Sequence, residues 1–164
     1  MQQEAVQNNP ARIIRAKAEH MALLVPLFDA YRQFYHQTTD QEGAQNFLAQ
    51  RFTEGSSVIF LAVTGEEKAK RVPCGFTQLY PTFSSVSMKR LWILNDLFVI
   101  PEARRQKVGR MLLERAQAFA LETHAKGLTL QTAIDNHAAQ ALYESLGWRR
   151  EEQFFSYNLS VDKA

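Results

Sequence analysis

The 164-residue sequence predicts an α/β fold of the mixed α+β kind, a sheet with helices on its faces. Three observations carry that expectation. Short apolar runs of strand length alternate with longer segments whose apolar residues recur at helical spacing. Gly, Pro, Asp and Asn punctuate the boundaries between them. The composition, 46% hydrophobic and 22% charged with 11 Phe, is that of a chain able to bury a large aromatic core.

In chain order, residues 1–10 are polar and predict a loose tail, and 11–164 a single domain. Arg12 to Ala18 opens with apolar alternation and predicts the first strand. Leu24, Leu27, Phe28, Tyr31 and Tyr35 fall at helical spacing, with Pro26 either near the start of that helix or kinking it. A second helix is expected over Gln41 to Phe52, with Asp40 as its N-cap and Gly55 as its stop. Ser57 to Thr64 and Cys74 to Tyr80 are β-rich runs joined by a charged loop, 65–73. Arg90 to Ile100 predicts a longer strand ended by Pro101. Val108, Met111, Leu112, Phe119 and Ala120 then mark a helix of about four turns, closed by Gly127. Leu128 to Ile134 is a further strand. Asn136 to Leu146 is a short helix stopped by Gly147, and Trp148 to Arg150 with Phe154 to Leu159 read as closing strands.

The chain carries 19 Lys and Arg against 17 Asp and Glu, a net +2, too slight an excess to announce a nucleic-acid protein. No aromatic-plus-basic platform supports such a partner either. The N-terminus lacks the basic and apolar regions of a secretory signal, and no apolar run approaches the roughly 20 residues that span a bilayer. A cytoplasmic protein without a membrane partner is therefore expected. The single Cys74 excludes a disulfide framework, and the four histidines show no metal-ligand spacing, so no metal is expected. Cys74 reads as a buried small hydrophobe rather than a nucleophile.

Two stretches carry chemistry. In Leu91 to Leu113 a hydrophobic strand runs through a basic turn into an amphipathic helix. Arg104, Arg105, Lys107, Arg110 and Arg115 place five of the 19 basic residues within twelve positions. Free N–H groups and the dipole at a helix start form an anion site, whereas cations there disfavour the helix itself. A small polyanionic ligand explains that cluster, and so does a solvated basic face. Neither a Walker loop nor a dinucleotide G-x-G-x-x-G is present. In Asn136 to Trp148, Asn136 can cap a helix that carries Ala139, Leu142, Tyr143 and Leu146, with Gly147 as its left-handed stop. Tyr143 lies two helical turns beyond Asn136. Taken alone, it reads first as a core tyrosine whose hydroxyl reaches a backbone carbonyl.

Both stretches resemble the signatures of the GNAT superfamily of N-acetyltransferases. That family's R/Q-x-x-G-x-G/A loop is matched by Arg104-Arg105-Gln106-Lys107-Val108-Gly109, with Lys107 at a Gly position. Its N-x-x-A-x-x-L-Y-x-x-x-G-F helix is matched by Asn136, Ala139, Leu142, Tyr143 and Gly147, with Trp148 for Phe. The resemblance extends over about residues 58–159. It implies a mixed, mostly antiparallel sheet of six to seven strands with about four helices, acetyl-CoA as cofactor, and a homodimer. It further implies that backbone groups of Leu97, Phe98 and Val99 hold the pantetheine arm and the acetyl carbonyl. Main-chain N–H groups from Arg104 to Gly109 (Arg104, Arg105, Gln106, Lys107, Val108, Gly109) would cradle the pyrophosphate, with Arg110 alongside. Asn136, with Ala139, would contact the pantetheine. Tyr143 would protonate the departing thiolate.

One departure concerns the base. Diamine acetyltransferases of this family carry Glu before the strand Asp, where this chain has Asn95-Asp96. Asp96 is the nearest candidate general base, and a buried structural acid is the other reading of it. Tyr31, Tyr35, Tyr80 and Asn95 are candidates for the acceptor pocket. Arg32, were it to face inward, would favour an acceptor bearing a carboxylate. The expected activity is transfer of acetyl from acetyl-CoA to a primary amine of a small molecule. The alternatives are a non-catalytic acyl-CoA sensor and acetylation of a protein N-terminus or lysine.

Overall fold

The computed structural model describes residues 10–65 and 71–161. The expected tail (apart from Pro10) and residues 66–70 of the expected loop lie outside the described residues. The chain divides into two compact units, one ending at Gln131 and the other beginning at Thr132.

The first unit holds one sheet in the order β1-β2-β3-β4-β5. Its strands are β1 (Arg12–Arg15), β2 (Val58–Thr64), β3 (Val72–Ser84), β4 (Lys89–Val99) and β5 (Gly127–Thr129). The first four pair antiparallel and β5 joins β4 in parallel, so the sheet is mixed and mostly antiparallel. The connection from β4 to β5 runs through α3 (Val108–Glu122), as a parallel pair requires. Helices α1 (Met21–Phe34) and α2 (Gln41–Glu54) connect β1 to β2.

Alternation sorts the side chains into two layers. Ile59, Leu61, Val63, Phe76 and Phe98 form one core with Leu24, Leu27 and Phe28 of α1 and Leu48 of α2. On the opposite face, Phe60 and Trp92 meet Phe119 of α3 at ring separations of 5.5 and 5.1 Å. The indole of Trp92 donates to Thr123 Oγ1 at 2.9 Å. Each buried aromatic face of this size contributes on the order of 2–3 kcal/mol. That burial holds the helices against the sheet.

Local signals explain the element ends. Asp40 Oδ1 accepts from Gly43 N at 2.8 Å and caps α2, and Gly55 closes it at φ +60°. Pro26 sits at the sixth position of α1, where it leaves the Ala22 carbonyl without its usual helical donor. A second network ties the end of α1 to the start of α2. Asp29, 2% exposed, accepts from Thr39 Oγ1 (2.6 Å), Asp40 N (2.9 Å) and Gln33 Nε2 (3.1 Å), and pairs with Arg32 at 3.4 Å. The Asp40 N–H and the Thr39 hydroxyl, more than Arg32, hold its carboxyl below the ordinary range.

Several expectations are corrected. Among the described residues the sheet has five strands rather than six or seven. The Leu128–Ile134 strand shrinks to Gly127–Thr129, and among the described residues neither Trp148 to Arg150 nor Phe154 to Leu159 forms a strand. Phe155, Tyr157, Leu159 and Val161 keep a strand's alternation, but that pattern stabilises a strand only where a neighbouring edge supplies the ladder. Gly127 does not close α3. The helix ends at Glu122, with His124 in the left-handed region at φ +52°, and Gly127 begins β5. The second unit contains α4 (His137–Ser145), capped by Asn136 Oδ1 accepting from Ala139 N at 3.3 Å. Among the described residues no helix is long and apolar enough to cross a membrane.

Candidate acetyltransferase active site

The site is organised by a fault in the β3–β4 ladder. Leu79 pairs with Leu94 and Gln78 with Asp96, so Asn95 is an extra residue, a β-bulge. Trp92 and Leu94 therefore face α3, while Asp96 and Phe98, also even-numbered, face α1. Phe98 stands 5.9 Å from the ring of Tyr31 and 6.2 Å from that of Phe34.

Asp96 is 5% exposed and its carboxylate is surrounded by donors. Gln78 Nε2 donates to Oδ2 at 2.9 Å and Asn95 Nδ2 to Oδ1 at 3.1 Å. The Tyr31 hydroxyl lies close enough to feel the same group. Burial, then the Asp96 charge, push the Tyr31 phenol well above its ordinary pKa. Tyr80 is pushed up to about 12, by burial first and by Asp96 next. Both phenols are neutral at physiological pH, and the Tyr80 hydroxyl accepts from Gln78 Nε2 at 2.8 Å. Tyr35 extends the aromatic wall, its ring 5.2 Å from that of Tyr31. A buried carboxylate with tyrosines beside it suits an ammonium group.

The structure thus brings Tyr31, Tyr80, Asn95 and Asp96 together, with Tyr35 at the rim. Arg32 is engaged elsewhere, with Asp29 and with the Thr38 carbonyl at 3.2 Å. Cys74 is buried, its thiol donating to the Ala62 carbonyl at 3.4 Å, and burial raises its pKa. Two residues of the network were not expected from sequence. Gln78 is fully buried and donates to the Tyr80 hydroxyl at 2.8 Å as well as to Asp96, while its Oε1 accepts from Ser57 Oγ at 3.0 Å. The available signal was a lone amide inside the apolar run Phe76 to Tyr80.

Beyond the bulge, β4 stands open on one side. Its pairing with β5 covers only Leu91 to Ile93, so Leu97, Phe98 and Val99 have no strand neighbour there among the described residues. The Val99 carbonyl is taken by Arg104 Nε at 3.1 Å, and the same guanidinium lies 5.7 Å from the centre of the Phe34 ring. Gly75 allows this close packing, since a Cβ there would sit 2.7 Å from the Phe98 carbonyl oxygen.

A short 3-10 turn over Pro101–Ala103 leads into the basic loop. Arg105 and Lys107 both adopt positive φ, +60° and +65°. α3 has no side-chain N-cap, and Met111 N donates to the Lys107 carbonyl at 3.0 Å, so the N–H groups just before it point out of the helix start. Successive N–H groups around left-handed residues form an anion-binding concavity, reinforced by the helix dipole. Lys107 therefore keeps the backbone shape of the glycine it replaces, while Gln106 folds back onto the Glu102 carbonyl at 2.9 Å. Arg110 faces Glu114 at 3.9 Å. Uncapped donors and clustered cations fit the pyrophosphate of a CoA thioester.

In the second unit, Tyr143 lies on α4 with its ring 6.0 Å from that of Trp148. Glu144 and Gln140 of the same helix hold Arg150 at 2.8 and 3.1 Å.

The mixed sheet, the bulged fourth strand and the basic helix start belong to a chain that matches the acetyltransferase (GNAT) family. Its family model matches residues 24–148, and the chain belongs to that family as an N-acetyltransferase. Among its relatives, YhfO of Bacillus subtilis, an uncharacterized N-acetyltransferase, is 48% identical over 149 residues, 91% of this chain and 97% of that protein. A probable acetyltransferase of Haemophilus influenzae is 32% identical over 151 residues, 91% and 99% of the two chains. The crystal structure of a probable acetyltransferase superposes with a TM-score of 0.86 at 46% identity, covering 93% of this chain and 99% of that one.

Proposed function

We propose that the protein transfers the acetyl group of acetyl-CoA directly to a primary amine of a small molecule. The observation that carries this reading is the buried Asp96 carboxylate, set among tyrosines one residue before the open edge of β4. When bound, acetyl-CoA supplies a thioester carbonyl as electrophile. The N–H groups from Arg105 to Gly109 hold its pyrophosphate, with Arg104 and Arg110 adding charge. Backbone groups of Leu97 to Val99 orient the pantetheine and give an N–H toward the carbonyl oxygen.

An alkyl amine with a pKa near 10.4 arrives protonated at neutral pH. Asp96 attracts the ammonium and accepts its proton, directly or through water. Tyr31, Tyr35 and Tyr80 wall the acceptor, and Asn95 lines it from the bulge while its Nδ2 donates to Asp96. By the family pattern, Asn136 and Ala139 contact the pantetheine and Tyr143 returns a proton to the leaving sulfur. Family resemblance alone supports a homodimer.

The test is thiol release from acetyl-CoA across a panel of small amines, a peptide N-terminus and a lysine peptide. Release with a small amine is expected. Thermal stabilisation by acetyl-CoA without release identifies an acyl-CoA sensor, and release only with peptides identifies a protein acceptor.

A further inference from the structure

We infer that Gln78 is a positioning residue for the reaction, with Ser57 as the clamp that orients it. The inference rests on the proposed roles of Asp96 and Tyr80. Gln78 has no exposed surface, yet each of its polar atoms is used. Oε1 accepts from Ser57 Oγ at 3.0 Å, and Nε2 donates to Asp96 Oδ2 at 2.9 Å and to the Tyr80 hydroxyl at 2.8 Å. The amide has one orientation that serves all three partners. An ionised carboxylate only accepts, so the NH2 end faces Asp96, and Oε1 is left to face Ser57.

The register explains why this position does the work. Gln78 is paired with Asp96 across the ladder at the point where the bulge breaks it. There the usual backbone constraint on the β4 side chain is weakest. Two donors, Gln78 from β3 and Asn95 from the bulge, hold one carboxylate oxygen each, and so fix the plane of the acid. The same NH2 fixes the Tyr80 hydroxyl two residues along. Acid and phenol thus share one support and move together. Among the described residues, Tyr31 from α1 also interacts with Asp96, Tyr35 acts on Tyr31, and Arg51 from α2 acts on Tyr80.

The experiment compares the full-length protein with Gln78→Met, which keeps the volume and removes the donors, and with Ser57→Ala, which removes only the clamp. The Asp96 carboxyl is titrated by 13C NMR in each. Loss of a donor to the carboxylate favours its neutral form, so the midpoint of Gln78→Met lies above that of the wild type, and that of Ser57→Ala lies between the two. With an amine found in the panel, the acidic limb of kcat/KM against pH moves by the same amount, with a fall in kcat larger than any rise in KM. A fall in kcat with the limb and the NMR midpoint unmoved would show a packing role and overturn the inference. Should Gln78→Met fail to fold, Ser57→Ala decides it, and an unmoved midpoint there overturns it. If the wild type acetylates no amine, the proposed function falls, and the NMR midpoint alone still decides the coupling.

Discussion

Lys107 occupies the left-handed region at φ +65° and immediately precedes α3, so it opposes the fold in two separable ways. A side chain at that φ costs about 1–2 kcal/mol. Glycine removes that cost but loses about 0.5–1 kcal/mol more chain entropy on folding, for a net gain of about 0.5–1 kcal/mol. The ammonium at the positive end of the helix dipole adds an unfavourable ~0.3–1 kcal/mol, which any neutral replacement relieves. Lys107→Gly is therefore expected to stabilise the protein by roughly 1–2 kcal/mol and Lys107→Ala only by the charge part. The difference between the two variants isolates the backbone. Urea unfolding at pH 7 measures it as a Cm for glycine about 0.3–0.5 M above that for alanine, at an unchanged m of about 2 kcal/mol/M. Acetyl-CoA affinity should move the opposite way in both variants, by a few-fold at low salt, because a cation near the phosphates is lost. Glycine no more stable than alanine would refute the backbone argument.

Asp29→Asn should cost about 1.5–3 kcal/mol at pH 7, since a charged acceptor of four donors becomes a neutral amide. Because the folded pKa is depressed, the wild-type advantage is full above the unfolded value near 3.9 and fades as pH falls through the folded one. A gap between variant and wild type as large at pH 2.5 as at pH 7 would sink that attribution. Gly75→Ala forces a Cβ against the Phe98 carbonyl and should destabilise by about 1–3 kcal/mol while weakening acetyl-CoA binding; calorimetry with and without ligand checks both effects. Tyr143→Phe should lower kcat by roughly 10²–10⁴-fold with acetyl-CoA affinity retained. An unchanged kcat removes Tyr143 from proton transfer.

Much of the architecture was legible because its signals are local. Asp40 and Gly55 bound α2, and Asn136 starts α4, because caps act within one turn of the residue that makes them. The strands were legible where apolar runs face a helix on each side. The expected closing strands failed because a strand needs an edge to pair with, and alternation in Phe154 to Leu159 does not supply one. The site was only half legible. A motif marks the loop from Arg104 to Gly109, since its work is done by backbone. Alternation, however, puts Trp92, Leu94, Asp96 and Phe98 on one face. The bulge that divides them has no residue signature in Asn95, and Gln78 gains its meaning only from what β4 places opposite it.

That bulge also bears on how such a site can arise. Deleting Asn95 would leave Leu94 opposite Leu79 and Asp96 opposite Gln78, with every remaining side chain of β4 on its present face. The hydrophobic layers would survive, and the ladder would run uninterrupted. What would vanish is the break in the ladder just past Ile93, the last residue that β5 pairs with. The bulge is thus separable from the core: a one-residue insertion interrupts the pairing of an otherwise ordinary sheet, and a one-residue deletion would restore it without moving a core side chain to the other face.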